Sequence, residues 1–220
     1  MILKARNISK TFKSPTSVTV LKNISIEVGP GETIAITGKS GEGKTTLLHI
    51  LGMLEPPTEG SLEICSIPAE PESWSLLRNQ KIGFVFQAYN LLDEYTVLEN
   101  VLMPAKIGKK DIRPGSPAYL RALQLLEEVG LSHRVDFQAK LIYGGEKQRV
   151  SIARAFINDP DLILADEPSG NLDHAHSTQI YNLLLTAAQK RGKALVVVTH
   201  DQELANLCQK TYSLIDGELK

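Results

Sequence analysis

The sequence predicts an α/β fold built around a parallel β-sheet, and two patterns indicate it. Strand-like and helix-like segments alternate along the chain. Two strand candidates, at residues 161–166 and 194–199, are apolar without alternation, which is typical of parallel strands covered on both faces. The 220 residues, of which 42% are hydrophobic, suffice for one sizeable core, so we expect a single domain over residues 1–220.

The N-terminal elements are predicted from alternation, glycine and proline. Residues 33–37 alternate and end before a glycine, as a strand would, and the helical pattern that follows stops at Gly52. In chain order we expect a strand at 33–37, a helix at 44–51, a turn at 56–60, and strands at 62–65 and 81–86.

The second half of the chain is predicted to be helical first and then to return to strands. Residues from about 90 to 157 have a mostly helical pattern, with breaks at Gly108, 115–117 and Gly130. The pair Asp216 and Gly217 lies between two short strand-like segments and predicts a small hairpin at the C-terminal end.

Composition and charge exclude several classes of protein. Lysine and arginine number 24 against 25 acidic residues, so the net charge of −1 provides no global field for nucleic acid or an anionic membrane. The apolar run at 194–198 is far shorter than the roughly 20 residues that span a bilayer. The first ten residues contain no apolar segment typical of a secretory signal, and the two cysteines are expected to be reduced thiols.

A phosphate-binding loop is predicted at residues 38–45, which fit the pattern G-x-x-x-x-G-K-[ST] between a predicted strand and a predicted helix. Glycines allow successive backbone N–H groups to turn inward around a phosphate, and the helix N-terminus adds its positive dipole end. We expect Lys44 to reach the β- and γ-phosphates of ATP and the Thr45 hydroxyl to ligate Mg²⁺. The nucleotide-binding residues predicted here are Gly38, Lys39, Ser40, Gly41, Glu42, Gly43, Lys44, Thr45 and Thr46. The alternative for this segment alone is a glycine-rich turn before a helix.

Two acidic residues follow the apolar strand at 162–165. Because ligands of open α/β sheets bind outside the carboxyl ends of the strands, Asp166 and Glu167 are expected to face the phosphate loop. Asp166 would hold Mg²⁺, directly or through water, and Glu167 would orient or deprotonate the attacking water. A surface acidic pair that caps a loop is the alternative.

The order of these and other motifs resembles the ATP-binding cassette (ABC) ATPases along essentially the whole chain. Glutamine 87 in the segment GFVFQ is similar to the family's glutamine loop. The segment 198–201, with the sequence VTHD, is similar to its switch-histidine loop. Residues 142–149 lie where the family has its signature sequence, and residues 166–173 resemble its Walker B motif and aspartate loop together.

The resemblance implies a P-loop NTPase core of the RecA-like type, with an antiparallel β subdomain and a helical signature subdomain inserted at about 88–157. It also implies that Gln87 approaches Mg²⁺ and the attacking water, and that His200 contacts the γ-phosphate. Asp173 would lie at the contact between two cassettes. Phe12 matches the aromatic residue that stacks on adenine, although a half-buried strand residue is the alternative for it.

In the family, the signature of one cassette contacts the nucleotide of a second, so the resemblance implies a head-to-tail homodimer around ATP. Tyr143, Gly144, Gly145 and Glu146 are the signature residues of this chain. The usual serine is replaced by Tyr143 and the usual leucine by Ile142. A serine hydroxyl would donate to the γ-phosphate, and hydrogen bonds to charged groups contribute about 1.5–3 kcal/mol. We therefore expect a working but slow ATPase.

Longer stretches resemble one branch of the family, the ATP-binding subunits of lipoprotein-releasing systems of Gram-negative bacteria. They are LLHILGMLEPPTEG at 47–60, the region 77–110, and ADEPSGNLD at 165–173 with THDQELA at 199–205. Cassettes of macrolide-type exporters and of a cell-division complex share the DEP-[ST]-GNLD style and are the alternatives. Cassettes of DNA repair, chromosome packing or translation are disfavoured, because the chain has one cassette, no heptad insertion and no C-x-x-C.

The resemblance also implies partners and a location. A transporter cassette of this length takes its channel from separate integral membrane permease subunits, which it would meet through the region after Gln87. The cassette would then lie at the cytoplasmic face of the inner membrane as a peripheral subunit. Membrane contact would occur only through the permease, and no nucleic-acid partner is expected.

Overall fold

A computed structural model describes residues 1–13, 16–170 and 174–220. Asp173, the predicted residue of the aspartate loop, lies outside these ranges. The strands in chain order are β1 (Leu3–Phe12), β2 (Val18–Val28), β3 (Thr33–Thr37), β4 (Glu59–Ile64), β5 (Ile67–Pro68), β6 (Ile82–Val85), β7 (Leu162–Asp166), β8 (Ala194–Val198), β9 (Lys210–Ile215) and β10 (Glu218–Leu219). The α-helices are α1 (Lys44–Leu51), α2 (Trp74–Lys81), α3 (Val97–Ile107), α4 (Pro117–Glu128), α5 (Gly144–Phe156), α6 (His174–Lys190) and α7 (Gln202–Leu207).

A six-stranded sheet forms the centre of the molecule, with the strand order β10-β9-β3-β8-β7-β6. Its pairs are parallel except for the terminal hairpin of β9 and β10. All five residues of both β7 and β8 are buried, because helices and the second sheet cover the two faces. The predicted parallel sheet and C-terminal hairpin are therefore confirmed.

The second sheet is antiparallel and has the order β2-β1-β4-β5. Its apolar residues share a core with β3 and α1, in a cluster that includes Leu3, Leu21, Ile36 and Leu47. The helices α3, α4 and α5 lie between β6 and β7 in the chain and form a second cluster with the opposite face of the central sheet. The α/β core agrees with the prediction from the sequence pattern, and the antiparallel β part and the helical part agree with what the family resemblance implied.

The element boundaries depart from the predicted ones at a few positions. The turn predicted at 56–60 ends earlier, because Glu59 already pairs with Ser9 as the first residue of β4. The strand predicted at 81–86 is confined to Ile82–Val85, because Lys81 is the last residue of α2. Helix α2 itself was not predicted, since its short polar sequence has only Leu77 as a buried residue.

Helix α3 starts at a reciprocal cap that the sequence encodes locally. The Thr96 hydroxyl accepts from the Glu99 N–H at 3.1 Å, and the Glu99 carboxylate accepts from the Thr96 N–H at 2.8 Å. Such a capping box satisfies two backbone donors that the first helical turn leaves unpaired. In the part of the chain that the structure describes, no helix has both the length and the apolar character that a bilayer span requires.

A carboxylate at the turn before β3 ties the central sheet together. Glu32 accepts from the Gly29 N–H at 2.7 Å and from the Lys210 ammonium at 2.5 Å, and its side chain is 16% exposed. The Gly29 N–H, followed by the Lys210 ammonium, lowers the pKa of the Glu32 carboxyl from its ordinary value. The ionised form of the Glu32 carboxyl is therefore more stable in the folded protein than in the unfolded chain.

We expect Glu32→Gln to lower the free energy of unfolding by about 1 kcal/mol at neutral pH, because hydrogen bonds to a charged group are weakened. A lowered carboxyl pKa contributes stability above the unfolded-state pKa and loses it as the pH falls through the folded-state pKa. The difference between variant and wild type should therefore shrink below about pH 4. Urea unfolding at pH 7 and at lower pH measures it. Glu27→Gln, in the half-exposed pair with Lys4, is the control, and an equal deficit at both pH values would contradict the prediction.

Candidate functional site

A cavity of about 650 Å³ lies at the carboxyl edge of the central sheet, where β3, β7 and β8 end. This edge is where open α/β sheets bind their ligands, because loops and helix N-termini converge there. The cavity is lined by Val20, Ser40, Gly41, Gly43, Lys44, Thr45, Thr46, Gln87, Glu167 and His200.

The loop between β3 and α1 forms one wall of the cavity. Gly43, directly before the helix, has φ 97°, and a Cβ on it would lie 2.6 Å from the Val20 Cγ1 atom. A glycine is therefore required there by both conformation and space. The Lys44 ammonium folds back into the loop and donates to the Gly38 and Lys39 carbonyl oxygens at 2.8 and 3.0 Å. The loop and the N-terminus of α1 present backbone N–H groups and a buried cation, as an anion requires.

Thr45, which lines the cavity, and Asp166, directly behind it at the end of β7, bring two oxygen ligands together. The Thr45 hydroxyl donates to the Asp166 carboxylate at 3.1 Å. Burial raises the pKa of the Asp166 carboxyl from its ordinary value, while the hydrogen bond from Thr45 opposes that rise. A hydroxyl beside a carboxylate is a ligand set that suits Mg²⁺, which prefers hard oxygen donors and an incomplete protein shell completed by phosphate and water.

Glu167 projects into the cavity from a tight turn. Its φ is 41°, a left-handed conformation that is uncommon for a residue with a side chain. The turn is held because the Glu167 N–H donates to the Val198 carbonyl at 2.9 Å and the Gly170 N–H donates to the Glu167 carbonyl at 3.0 Å. One carboxylate oxygen lies 4.0 Å from the Lys44 ammonium, which places the carboxylate next to the phosphate-binding loop.

The loop after β8 supplies two donors to the other carboxylate oxygen of Glu167. The His200 N–H and the Thr199 hydroxyl donate to it at 3.3 Å each, and the His200 Nδ1 atom lies 2.8 Å from it. The imidazole is 69% exposed, so it stands at the mouth of the cavity.

Gln87 enters the cavity from the segment after β6. Its amide nitrogen packs against Gly170: a Cβ atom at position 170 would lie only 2.8 Å from the Gln87 Nε2 atom. Tyr89 and Asn90, which follow shortly after, have a left-handed backbone conformation. Their carbonyl oxygens accept hydrogen bonds from the Arg154 guanidinium of α5 at 2.6 and 2.5 Å. Burial lowers the pKa of Arg154 to about 10. The helical part of the molecule therefore holds the segment that carries Gln87.

Other predicted site residues do not line this cavity. Phe12 is 40% exposed on β1, with the Lys10 ammonium 5.0 Å from its ring centre. The Glu42 carboxylate accepts from the Asp216 N–H at 3.0 Å and so is directed to the C-terminal hairpin. Tyr143 precedes α5 with its side chain 77% exposed, while Gly144 and Gly145 open that helix.

Glu146 joins the start of α5 to the rest of the helical part. Its carboxylate accepts from the Tyr143 N–H at 3.0 Å and from the Arg134 guanidinium at 2.9 Å. The N-terminal end of α5 is thereby fixed, with its first residues half-buried and Tyr143 exposed directly before them.

A family comparison agrees with this geometry. The model of the family described as ABC transporter matches residues 21–170, which include the phosphate-binding loop, the signature and both acidic residues. The chain belongs to the ABC transporter family. As a member of this family it is an ATP-binding and ATP-hydrolysing cassette, and the predicted family and activity are confirmed.

Individual relatives of this ABC cassette cover almost its whole length. It is 51% identical over 217 residues to the lipoprotein-releasing system ATP-binding protein LolD of Protochlamydia amoebophila (strain UWE25), with 99% of this chain and 95% of that protein aligned. The solved dimeric structure of MJ0796, described as a bacterial ABC transporter cassette, matches with TM-score 0.90 and 38% identity over 99% of this chain and 96% of the other. A post-hydrolysis dimer of MJ0796 with ADP and Pi matches with TM-score 0.90 and 37% identity, with the same coverage.

Several contacts in the ABC cassette site were not predicted from the sequence. Val20 lines the cavity from β2, far from any motif, and Thr199 binds Glu167 through its hydroxyl. Tyr181 of α6 hydrogen-bonds to both Ser169 and Asp201 behind the site. A tyrosine within a helical apolar pattern is indistinguishable from an ordinary core residue, so no sequence signal identified it.

Proposed function

We propose that this cassette is the ATP-hydrolysing subunit of a transporter that releases lipoproteins from the inner membrane. The observation that carries the proposal is the 51% identity to a lipoprotein-releasing ATP-binding protein over 99% of the chain. The cavity supports the activity part of the proposal, because it joins a phosphate-binding loop to a carboxylate and an imidazole. We also propose that residues 1–220 are one domain, with the helical subdomain inserted at about 88–157.

In this proposal the backbone N–H groups of residues 38–46 and the Lys44 ammonium bind the triphosphate of ATP. The ammonium would exchange the carbonyl oxygens of Gly38 and Lys39 for phosphate oxygens, which gives it a charged partner in place of neutral ones. Phe12 would stack on the adenine ring from the edge of the antiparallel sheet. The cavity volume of about 650 Å³ leaves room for the phosphates and for an attacking water.

Glu167 is proposed as the group that orients and deprotonates the attacking water. Its carboxylate is 14% exposed, and one oxygen accepts from the Thr199 hydroxyl and the His200 N–H. The other oxygen lies 4.0 Å from the Lys44 ammonium, beside the phosphate-binding loop, where it would accept from a water. The imidazole of His200 is 69% exposed at the mouth of the cavity and would donate a ring N–H to the γ-phosphate. The backbone N–H of His200 meanwhile donates to Glu167 and so joins the two proposed catalytic residues.

The residues present fit a magnesium ion. Thr45 and Asp166 lie together as a hydroxyl and a carboxylate, and Gln87 lines the same cavity. When bound, Mg²⁺ would neutralise negative charge on the β- and γ-phosphates. Burial raises the pKa of the Asp166 carboxyl, and a cation partner would relieve the desolvation of its ionised form.

The signature residues are proposed to act on the nucleotide of a second copy of this chain. Tyr143 to Glu146 lie outside the cavity of their own chain, with Tyr143 exposed before the N-terminal end of α5, which suits an anion brought by a partner. Dimers are also described for MJ0796. We infer a homodimer in which each ATP is bound by the loop of one copy and the signature of the other.

Tyr143→Ser tests whether the unusual signature residue limits turnover. We expect the substitution to raise kcat for ATP hydrolysis about threefold or more, because a serine hydroxyl beside Gly144 would donate a hydrogen bond to the γ-phosphate. A threefold gain requires less free energy than one hydrogen bond to a charged group contributes. Steady-state ATPase assays measure it. The control is Tyr95→Ser, which removes another partly exposed tyrosine outside the signature. A lower turnover in Tyr143→Ser than in wild type would contradict the prediction.

Integral membrane permease subunits are the proposed transport partners, and the cytoplasmic face of the inner membrane is the proposed location. The segment after Gln87, held by Arg154, would receive the permease because it connects the nucleotide site to the helical part. Membrane contact would then occur through the permease alone, and nucleic acid has no part in the proposal.

The function is tested by reconstitution. The full chain would be purified with its co-expressed permease subunits and placed in lipid vesicles that contain a triacylated lipoprotein. We expect ATP to release the lipoprotein to a soluble acceptor, and Glu167→Gln to abolish the release. Co-purification with a cell-division partner, or ATP hydrolysis without any lipoprotein release, would overturn the proposed transport function while leaving the ATPase intact.

A further inference from the structure

A chain of hydroxyl groups lies behind the ATP site and is not part of the cavity wall. Tyr181 of α6 is 1% exposed, and its hydroxyl donates to the Asp201 carboxylate at 2.6 Å. The Ser169 hydroxyl, 8% exposed as a residue, hydrogen-bonds to the same phenol. One buried phenol thereby connects Ser169, two positions after Glu167, with Asp201, directly after His200.

The direction of these hydrogen bonds follows from the groups involved. An ionised carboxylate only accepts, so the phenol gives its single proton to Asp201 and must accept from Ser169. Burial, and after it the hydrogen bond to Asp201, raises the pKa of Tyr181 to about 12, while hydrogen bonds with Ser169 and Ser177 act in the opposite sense. The phenol therefore stays protonated at neutral pH. The series of hydrogen bonds ends on the Asp201 carboxylate, whose negative charge strengthens the hydrogen bond from Tyr181.

Asp201 organises the loop that carries His200. One of its carboxylate oxygens accepts from the Glu203 and Leu204 N–H groups at 2.8 and 3.3 Å and caps α7. Its own N–H donates to the Thr199 hydroxyl at 3.0 Å, and that hydroxyl donates to Glu167. A displacement of Asp201 would therefore move the donors that hold the Glu167 carboxylate.

Ser169 belongs to the turn that carries Glu167. That turn is closed by the hydrogen bond from Gly170 to Glu167 and holds Glu167 in its left-handed conformation. Backbone conformations of this kind persist only where surrounding contacts over-determine them. The phenol of Tyr181 supplies one such contact, because it fixes Ser169 from the buried side.

We propose that Tyr181 is a positioning residue for ATP hydrolysis, whose hydroxyl holds the loop of Glu167 and the loop of His200 in one mutual geometry. The proposal rests on the roles proposed above for these two residues. Tyr181 does not line the cavity and reaches the two loops through Ser169 and Asp201, while Ser177, a third partner, belongs to its own helix. Its hydroxyl should therefore affect the chemical step and not the binding of ATP.

Tyr181→Phe removes the hydroxyl and keeps the buried ring. We expect kcat for ATP hydrolysis by the full chain with Mg-ATP to fall about tenfold, since small displacements of catalytic groups are costly. KM for ATP should stay within about twofold, because the atoms of the phosphate-binding loop are not touched. Ile180→Val, at the neighbouring buried position of α6, is the matched control for a small loss of packing and should retain the wild-type kcat.

A double-mutant cycle with Asp201→Asn tests the coupling itself. Asparagine keeps an oxygen to cap α7 but presents an amide donor to the phenol, so the chain is broken at the same link. We expect Tyr181→Phe to cause little further loss of kcat in the Asp201→Asn background, because both changes remove one shared contact. Losses that multiply independently would overturn the proposal.

Each result of these assays decides between the claims. Wild-type kcat in Tyr181→Phe, or a fall no larger than that of Ile180→Val, overturns the positioning role. If Glu167→Gln stops turnover at the same time, the proposed function still holds. If Glu167→Gln hydrolyses ATP at the wild-type rate, the assignment of Glu167 and the inference built on it fail together.

Discussion

We expect Glu167→Gln to lower the ATP turnover of this cassette by about 100- to 1000-fold, which is the loss typical of removing a general base. Glutamine has the same shape and can still accept from His200 and Thr199 through its oxygen, so the local turn should survive. An amide cannot take a proton from water at neutral pH. The variant should therefore bind ATP as wild type does and persist as an ATP-bound dimer.

Single-turnover hydrolysis and equilibrium ATP binding, measured on the same preparation, check this result. Size-exclusion chromatography with ATP should show a longer-lived dimer for Glu167→Gln than for wild type. Glu32→Gln is the matched control, since it changes a carboxylate of the same chemistry far from the cavity and should retain the wild-type kcat. Normal turnover in Glu167→Gln would mean that another group activates the water.

We expect Lys44→Met to weaken ATP binding itself by about 100-fold or more, since one or two hydrogen bonds to charged phosphate oxygens would be lost at about 1.5–3 kcal/mol each. Methionine retains the apolar stem, so the buried position at the start of α1 stays filled. The Glu167 carboxylate, 4.0 Å from the ammonium, would also lose its nearest cation and repel the phosphates. Lys44→Met should therefore raise Kd, in contrast to Glu167→Gln.

Titration calorimetry with a slowly hydrolysed ATP analogue and Mg²⁺ gives the Kd of both proteins. Lys22→Met is the control, because it removes an equal charge from an exposed position of β2 and should change Kd by less than about twofold. If Lys44→Met retained the wild-type Kd, the loop at residues 38–45 would not be the triphosphate site.

Much of the candidate site could be predicted because its parts are local in sequence. The loop at 38–45 encodes its own conformation through glycines and the helix that follows, and the apolar strand before Asp166 marks a carboxyl end of the sheet. The strand at Thr33–Thr37 and the helix at Lys44–Leu51 agree with the prediction for the same reason. Helix α2 was not predicted because its sequence is mostly polar and only its Leu77 side chain is buried.

The contacts that orient the proposed catalytic groups could not be predicted in this way. The left-handed conformation of Glu167 depends on Val198, which lies on a different strand. Tyr181 meets Ser169 and Asp201 only because α6 packs behind the two loops. Val20 reaches Gly43 because the antiparallel sheet folds over the phosphate-binding loop. None of these partners shares a periodic or spaced pattern with the residue that it contacts.

By itself, the sequence determined the family of this protein and predicted the parts of its proposed site: the phosphate-binding loop, the two acidic residues and the switch histidine. These depend on backbone conformations and strand ends that a few adjacent residues dictate. Only the tertiary structure decided how Glu167 is held between Lys44 and His200, and that a buried phenol fixes the loops behind it. The physical reason is that such contacts arise where chain segments distant in sequence pack together, and burial then sets the strength of each hydrogen bond.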